Sequence, residues 1–417
     1  MKRRRSLSHV GGAVETEGSR EVAMTLAEAL DVAPAAEPTG QAGSDPAADD
    51  PDRAHIHGFH TYPARMHPTT AARLVRSFAQ PGATLLDPFC GSGTVLVETL
   101  VAGRRAIGID LHPLAVRLSR VKTNPRDARS RDAIVATARA VSAIADERRK
   151  RRAGATHRYP AEDVTSFEPH VLLELDSLRA GIAERGKDDV YVREALELVL
   201  SAIFVKVSRR TSDTSTAAMP RRIAAGYAAR LFGRKAADLS RRLGELAELV
   251  PSDAKPVQVF LDDAARLQEV LPSTVDAIVT SPPYVATYDY VTHHALRLRW
   301  LGLDARGLDV GEMGARRRYA ALEPRAAREA WTRELAEVLR ALSRACRKGA
   351  RVAIVLGDSA IGGEALRADS MISTVAPGAG FALVARASQR RPHFHGPTVR
   401  AFREIPRAEH AIALEKR

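Results

Sequence analysis

From about His57 onward, short apolar runs alternate with stretches of helical periodicity. The runs have the length and the Val, Ile, Leu and Ala content of strands that are buried on both faces of a sheet. This alternation predicts a doubly wound α/β fold. The last two runs have no helix-length pattern between them and are expected to form an antiparallel pair at one edge. Seven strands are predicted, at residues 84–89, 105–110, 257–263, 275–281, 351–358, 381–387 and 410–416.

About 145 residues separate the second and third predicted strands, which is too many for one crossover. Helical periodicity fills this interval, over residues 131–152, 162–185, 190–208 and 220–249. We therefore expect a helical, partly basic insertion over 126–254, flanked by two parts of the core at 55–125 and 255–417.

Residues 1–54 contain no Phe, Trp or Tyr and are rich in Ala, Gly, Pro and acidic residues. Such a segment cannot bury enough apolar surface to offset its chain entropy. Apart from a short helix over 21–32, it is predicted to be a disordered leader.

Charge and cysteine content narrow the class of protein. Lys and Arg total 63 against 50 Asp and Glu, a net charge of +13, which favours an anionic partner and nucleic acid first. Cys90 and Cys346 are the two cysteines, so a disulfide framework and an all-cysteine zinc module are excluded. No apolar run approaches the roughly 18 residues that cross a bilayer, and no secretory h-region follows the basic N-terminus. A cytoplasmic protein with no membrane partner is expected.

The segment LLDPFCGSGTVLVETLVAGRRAIGIDLHP, residues 85–113, combines a strand, a glycine turn, a helix and a second strand. Gly91 and Gly93 let the backbone approach a ligand, and Asp110 ends the second strand, where an acid can accept hydrogen bonds from ribose hydroxyls. A tight strand-to-helix turn alone would also favour glycine. Asp87 would repel a pyrophosphate and is better placed to hold an ammonium group. The spacing G-S-G-T and the absence of a Lys-Ser/Thr pair argue against nicotinamide and P-loop sites.

The tetrad Ser281-Pro282-Pro283-Tyr284 directly follows the fourth predicted strand. Two prolines make a rigid extended turn that presents the serine hydroxyl and the Pro282 carbonyl as acceptors for an exocyclic amine. The tyrosine offers a flat face on which an extruded base can stack. The alternative is a plain proline turn with a core tyrosine.

These two motifs resemble those of the nucleic-acid amino-methyltransferases, the DNA (cytosine-N4)/(adenine-N6) methylase family. The family motif D-P-F-x-G-S-G-T is intact at residues 87–94 with Cys90 in the variable place, and S-P-P-Y is intact at 281–284. The resemblance covers residues 57–122 and about 255–417. It implies a Rossmann-like seven-stranded methyltransferase sheet and S-adenosyl-L-methionine as the cofactor.

The resemblance also implies roles for individual residues. The catalytic tetrad is Ser281, Pro282, Pro283 and Tyr284, of which Ser281 and Pro282 hold the target amine and Tyr284 stacks on the base. The segment around Tyr62, Pro63 and Arg65 resembles the one that closes over the methionine end of the cofactor, and Asp263 is preferred to Asp262 near the adenine. The residues expected to bind the cofactor are Tyr62, Arg65, Asp87, Pro88, Phe89, Gly91, Gly93, Thr94, Asp110 and Asp263.

Serine in the first place of the tetrad is typical of enzymes that act on cytosine N4 in DNA. Such an enzyme can have a cognate restriction enzyme as a partner. Adenine N6 in DNA and guanine N2 in tRNA or rRNA are the alternatives, and a non-catalytic nucleic-acid-binding protein on the same fold is a minor one. The insertion departs from the pattern of the DNA enzymes because it precedes the third strand, which strengthens the RNA alternative. Methylation of cytosine carbon 5 is excluded, since no cysteine follows a proline on this loop.

Arginines in two basic stretches are candidates for phosphate contacts, although each alone could belong to a solvated helix face. They are Arg209, Arg210, Arg221, Arg222, Arg316, Arg317 and Arg318. Candidates to line a base pocket are Tyr288, Tyr290, His293 and His294. Four histidines suggest zinc, but the sequence around them lacks a cysteine or carboxylate to complete a ligand set, so no metal is predicted. They are His55, His57, His60 and His67.

Overall fold

The computed structural model describes residues 12–32, 54–211, 222–391 and 396–417. The strands of these ranges are β1 (Val14–Gly18), β2 (Thr84–Asp87), β3 (Arg105–Asp110), β4 (Gln258–Leu261), β5 (Val275–Thr280), β6 (Cys346–Gly357), β7 (Ser359–Ile361), β8 (Glu364–Leu366), β9 (Phe381–Arg390) and β10 (Ala408–Lys416). The helices are α1 (Arg20–Leu30), α2 (Pro68–Phe78), α3 (Thr94–Val101), α4 (Pro113–Lys122), α5 (Ala128–Lys150), α6 (Ala161–Ser166), α7 (Pro169–Arg185), α8 (Val190–Val207), α9 (Tyr227–Leu249), α10 (Leu267–Val270), α11 (Tyr290–Trp300), α12 (Arg306–Gly311), α13 (Arg316–Tyr319), α14 (Pro324–Ala345) and α15 (Ala368–Val375).

Eight of these strands form one sheet in the order β1-β9-β10-β6-β5-β2-β3-β4. The five strands from β2 to β6 run parallel, and β10 is antiparallel to both β6 and β9. The chain adds β3 and β4 on one side of β2 and then returns to place β5 on its other side. The carboxyl ends of β2 and β5 therefore lie at the topological switch point, where open α/β sheets bind their ligands.

Side chains that alternate along the strands pack against helices on both faces of the sheet. Leu85, Ala277 and Val279 share one buried cluster with α1 and α2, and their neighbours Leu86 and Ile278 share another with α14 and α15. The prediction of a Rossmann-like sheet, with a helical insertion between the second and third of the seven predicted strands, is confirmed. The antiparallel pair β9–β10 also forms as predicted, but β1 and not this pair is at the edge of the sheet.

An eighth strand corrects the prediction that residues 1–54 are a disordered leader. Val14–Gly18 pairs antiparallel with β9 at the sheet edge, and Arg20–Leu30 forms the expected helix. The helix buries Leu26 and Leu30 against α2 and the sheet. Its apolar stripe is buried by tertiary packing, which the composition of the leader does not reveal. The rest of the predicted leader, residues 1–11 and 33–53, lies outside the described ranges.

The insertion between β3 and β4 is a bundle of α5, α7, α8 and α9 with the short α6. Buried side chains on α5 recur at Ile134, Ala138, Val141 and Ala145, the spacing of one helix face. The central helix α8 is apolar on most of its surface and is enclosed by the others. The bundle core also takes in Trp300 of α11, which ties the insertion to the segment that follows the tetrad.

Across the part of the chain described here, no helix has both the length and the apolar character needed to span a bilayer.

Candidate active site

The glycine turn after β2 has the backbone that its sequence predicts. Gly91 and Gly93 have φ values of +51° and +83°, in the left-handed region that favours glycine. A Cβ on Gly93 would lie 2.8 Å from the Ser119 hydroxyl oxygen of α4. Position 93 therefore also lacks the space for a side chain. The turn holds the start of α3 close to the ends of β2 and β3.

Two carboxylates flank this turn. Asp87 Oδ1 accepts hydrogen bonds from the Thr280 hydroxyl at 2.7 Å and from the Phe89 amide at 3.2 Å. Burial raises the pKa of Asp87 to about 7, against the lowering effect of these two donors. The second carboxylate, Asp110, accepts from the amides of Gly91 and His112, both at 2.8 Å. Burial raises the pKa of Asp110 to about 6.

A cavity of about 270 Å³ opens between these carboxylates and the end of β5. Ser281 and Pro283 of the tetrad line it together with the glycine turn, so the structure brings the two sequence motifs into one site. Gly93, Pro282 and Tyr284 are not among its lining residues. The predicted site residues that do line it are Tyr62, Arg65, Asp87, Pro88, Phe89, Gly91, Thr94, Asp110, Asp263, Ser281 and Pro283.

One wall of the cavity is aromatic. Tyr62 stacks on His294 and Tyr290 of α11, with ring centroids 5.0 Å and 6.1 Å away, and Tyr290 also lines the cavity. His294 is fully buried, and its burial holds the pKa of the imidazole well below its usual range. Tyr288 and His293 contact each other edge to face. Of the four residues proposed to line a base pocket, Tyr290 is the one that reaches the cavity.

Asp263 lies at the end of β4 and has two roles in the structure. It lines the cavity, and its Oδ1 accepts from the Ala265 amide at 2.9 Å, capping the turn that follows. The neighbouring Asp262 pairs instead with Arg266 at 3.0 Å. Asp263 therefore faces the cavity and Asp262 does not, and contact of Asp263 with a ligand stays a prediction.

Acidic residues of α12–α14 form a side of the cavity that the sequence motifs did not indicate. Glu312, Glu334 and Glu337 line it, with Arg318 among them. Glu312 is buried and accepts from the Tyr290 amide at 2.6 Å, so it fixes the start of α11. Glu312 follows α12 and the other two lie on α14, with no motif around any of them, so their position near the cavity depends on the fold.

Most of the candidate phosphate-binding arginines form ion pairs within the protein. Arg316 pairs with Asp289 at 3.2 Å, Arg317 with Glu312 and Arg318 with Glu334 at 2.9 Å. Arg209 is 3.7 Å from Glu168. Within the described ranges no ion pair is formed by Arg210 or Arg222, and Arg221 lies outside those ranges. Phosphate contacts by these arginines remain a prediction.

Two clusters of histidines and carboxylates have the proximity of metal ligands. In the first, His57 Nε2 is 2.8 Å from Glu98 Oε1 and His55 lies beside them, but Lys122 and Arg242 add positive charge that opposes a divalent cation. In the second, the Asp358 carboxylate is already hydrogen-bonded to Arg367, to two backbone amides and to His410. The first cluster is therefore a buried hydrogen bond between neutral His57 and Glu98, since burial holds the pKa of His57 well below its usual range, and the second contains the ion pair of Asp358 with Arg367.

Residues 38–120 match the model of the family described as DNA methylase. Over this segment, about a fifth of its length, the chain is similar to the DNA methylase family. The methyl donor of this family is S-adenosyl-L-methionine, in agreement with the sequence resemblance. The matched segment contains Tyr62, the glycine turn and Asp110, and it ends before the tetrad.

Proteins of known class are similar to parts of the chain. The type II methyltransferase M.MjaII of Methanocaldococcus jannaschii is 34% identical over 73 residues, which are 18% of this chain and 14% of that protein. M.MvaI of Kocuria varians is 42% identical over 72 residues, 16% of each. M.BsoBI of Geobacillus stearothermophilus is 23% identical over 281 residues, 60% of this chain and 53% of its own length. The matches span from about a seventh to about half of these relatives.

Proposed function

We propose that this protein transfers a methyl group from S-adenosyl-L-methionine to an exocyclic amino group of a base in DNA, with cytosine N4 as the target. The observation that carries the proposal is the convergence of Ser281 and Pro283 with Asp87 and Asp110 on one cavity. A methyl donor and an amine must meet in such a place, because this transfer depends mainly on positioning.

The cavity suits the chemical groups of the cofactor. Ser92 Oγ and Thr94 Oγ1 are buried at its lining and have no hydrogen-bond partner among the described residues, so they can bond a polar ligand. Asp110 lines the cavity, and each of its carboxylate oxygens accepts one amide and keeps a lone pair that can accept from a ribose hydroxyl. Carboxylates outnumber cationic groups around the cavity, which favours a ligand that carries sulfonium and ammonium charges.

The chain's residues hold the cofactor at both ends in this proposal. Tyr62 and Arg65 close over the methionine portion, where Asp87 holds the ammonium group, and Asp263 faces the adenine. Arg65 is fixed by a hydrogen bond from Nη1 to the His57 carbonyl at 2.6 Å, and Tyr62 is fixed by its stacking on α11. When bound, S-adenosyl-L-methionine supplies an electrophilic methyl group at its sulfonium.

The tetrad binds the second reactant. The Ser281 hydroxyl and the Pro282 carbonyl accept hydrogen bonds from the target amine, which orients the nitrogen lone pair toward the methyl group. Tyr284 stacks on the extruded base, and stacking of this kind contributes about 1–3 kcal/mol per base. The cysteines do not take part, since Cys90 is buried and burial raises the pKa of its thiol well above the usual range.

Cytosine N4 is proposed as the target because serine occupies the first place of the tetrad, as is typical of enzymes with that specificity. The test is nucleoside mass spectrometry of DNA and total RNA from a methylation-deficient host that expresses the protein. We expect N4-methylcytosine in the DNA, and none in cells that express Ser281→Ala.

Other outcomes of this experiment revise the proposal in defined ways. N6-methyladenine in the DNA would change the base but keep the reaction. N2-methylguanosine in the RNA with unmodified DNA would overturn DNA as the substrate. Unmodified nucleic acids, with wild-type protein that binds the cofactor in a calorimeter, would contradict catalysis.

A further inference from the structure

Tyr284 has a hydrogen-bond partner that is distant in sequence. Its hydroxyl donates to Glu409 Oε1 at 2.9 Å, and Glu409 stands at the start of β10. The other carboxylate oxygen, Oε2, accepts from Arg391 Nε at 3.1 Å, and the Arg391 side chain is 3% exposed. The tetrad tyrosine is thus connected to the end of β9 through a partly buried ion pair.

The ring of Tyr284 is also held from the side of β6. A Cβ on Gly357, the last residue of β6, would lie 2.7 Å from Tyr284 Cε2 and 2.7 Å from Arg407 Nη2. Glycine at this position therefore lets the ring and the guanidinium approach the strand. Arg407 is fixed in turn, because its Nε donates to the Asp358 carbonyl at 2.9 Å.

The Tyr284 hydroxyl is protonated, as a hydrogen-bond donor must be. Burial, and next the charge of Glu409, raise the pKa of Tyr284 well above its usual range, although Arg407 and a hydrogen bond with Ser281 act in the other direction. The phenol therefore keeps its proton at neutral pH. Hydrogen bonds to a charged acceptor are stronger than those between neutral groups.

We propose that Glu409 is a positioning residue that acts through Tyr284. Its carboxylate, oriented by Arg391, holds the hydroxyl and so fixes the ring against Gly357. This inference rests on the proposed function, since the base is the substrate of that reaction. A positioned ring needs no reordering when the base arrives, so loss of Glu409 is expected to reduce the rate of transfer and to leave cofactor binding unchanged.

A double-mutant cycle on Tyr284 and Glu409 tests this mechanism. Tritiated methyl transfer to genomic DNA from a methylation-deficient host measures kcat without knowledge of the recognition sequence. Tyr284→Phe and Glu409→Ala are each expected to lower kcat about tenfold, with the KM of the cofactor within about twofold of wild type. The double variant should be no more than about twofold slower than Tyr284→Phe, because that change already removes the hydrogen bond to Glu409 together with the one to Ser281.

Three further variants separate positioning from general damage to the fold. Glu409→Gln retains an acceptor oxygen and should recover kcat to within about threefold of wild type. Gly357→Ala pushes on the ring from the other side and should lower kcat with unchanged cofactor affinity. Glu415→Ala, at the exposed far end of β10, is the matched control and should match wild type.

Losses that multiply in the double variant, to about a hundredfold, would overturn the proposal, because Glu409 would then act independently of the tyrosine hydroxyl. The same cycle measured by thermal unfolding does not depend on activity. We expect Glu409→Ala to lower the Tm less in the Tyr284→Phe background than in wild type, and additive shifts would overturn the hydrogen bond itself. An inactive wild type with coupled Tm shifts would contradict the proposed function alone.

Discussion

Asp87 and Asp110 are buried carboxylates that face one cavity, and burial raises the pKa of Asp87 to about 7 and that of Asp110 to about 6. A carboxyl group whose pKa is higher in the folded than in the unfolded protein binds protons more tightly when folded. Its contribution to stability is therefore greatest at low pH and decreases as the pH rises through the window from about 4 to about 7. A cationic ligand would lower the pKa of both carboxyl groups again, because it favours their ionised form.

We accordingly predict that cofactor affinity rises between about pH 6 and about pH 8, and that binding at the lower pH releases protons. Calorimetry in buffers of different ionisation enthalpy measures both quantities. Asp87→Asn should weaken binding and abolish most of the pH dependence. An affinity that stays constant across this range would contradict the assignment of Asp87 to the ammonium group.

Gly93 and Gly82 provide a matched pair for the glycine turn. Both have left-handed backbones, with φ values of +83° and +76°, but a Cβ at Gly82 would have no neighbour within 4 Å. Gly82→Ala should therefore cost about 1–2 kcal/mol of backbone strain. Gly93→Ala should add about 1–3 kcal/mol for the overlap with Ser119 and should weaken cofactor binding as well. Equal losses of unfolding free energy in urea melts would show that the approach of α4 does not constrain the turn.

At the scale of elements, β1 and α1 show where sequence patterns stop being informative. The strand VETEG has no apolar alternation, and Glu15 and Glu17 pair across the strands with Arg390 and Arg386. An edge strand that is held by backbone pairing and charge pairs has no local signature of burial. The apolar strands from β2 to β6 could be predicted because each is buried on both faces.

The helix α1 offers a direct test of whether this N-terminal unit belongs to the fold. Leu26 is fully buried in the cluster shared with α2 and the sheet, whereas Met24 is 61% exposed on the same helix. Leu26→Ala should lower the free energy of unfolding by about 2–5 kcal/mol, and Met24→Ala should change it by less than about 0.5 kcal/mol. If urea melts of both variants match wild type, the leader does not pack on the sheet.

The candidate site could be predicted only as far as local motifs extend. The glycine turn and the tetrad carry their geometry in consecutive residues, so Asp87, Asp110 and Ser281 could be placed at strand ends before the fold was known. Glu312 and Glu409 could not, because each reaches the site through tertiary contacts with residues far away in sequence.

At the scale of the whole molecule, the helical insertion supports the aromatic wall of the cavity. The buried Ser201 hydroxyl of α8 bonds His60 Nε2 at 2.9 Å and accepts from Arg297 Nε of α11 at 3.1 Å. Trp300 of α11 donates to Asp163 of the insertion at 3.0 Å. The insertion therefore holds both the segment that contains Tyr62 and the helix on which Tyr62 stacks, a role that its sequence did not indicate.

The same insertion carries Arg210 and Arg222, which form no ion pair with any described residue, and this leads to a prediction on the salt dependence of DNA binding. The logarithm of the DNA association constant falls with the logarithm of the salt concentration, and each contact to a DNA phosphate makes this slope steeper by about 0.9. If Arg210 and Arg222 each contact a phosphate, replacing both by alanine should reduce the slope by about 1.8. Arg241→Ala is the control, since Arg241 on α9 of the same bundle is paired with Asp238 at 2.8 Å and its loss should leave the slope unchanged. Fluorescence anisotropy with a labelled duplex between about 50 and 200 mM salt measures these slopes, and an unchanged slope in the double variant would place both arginines outside the DNA interface.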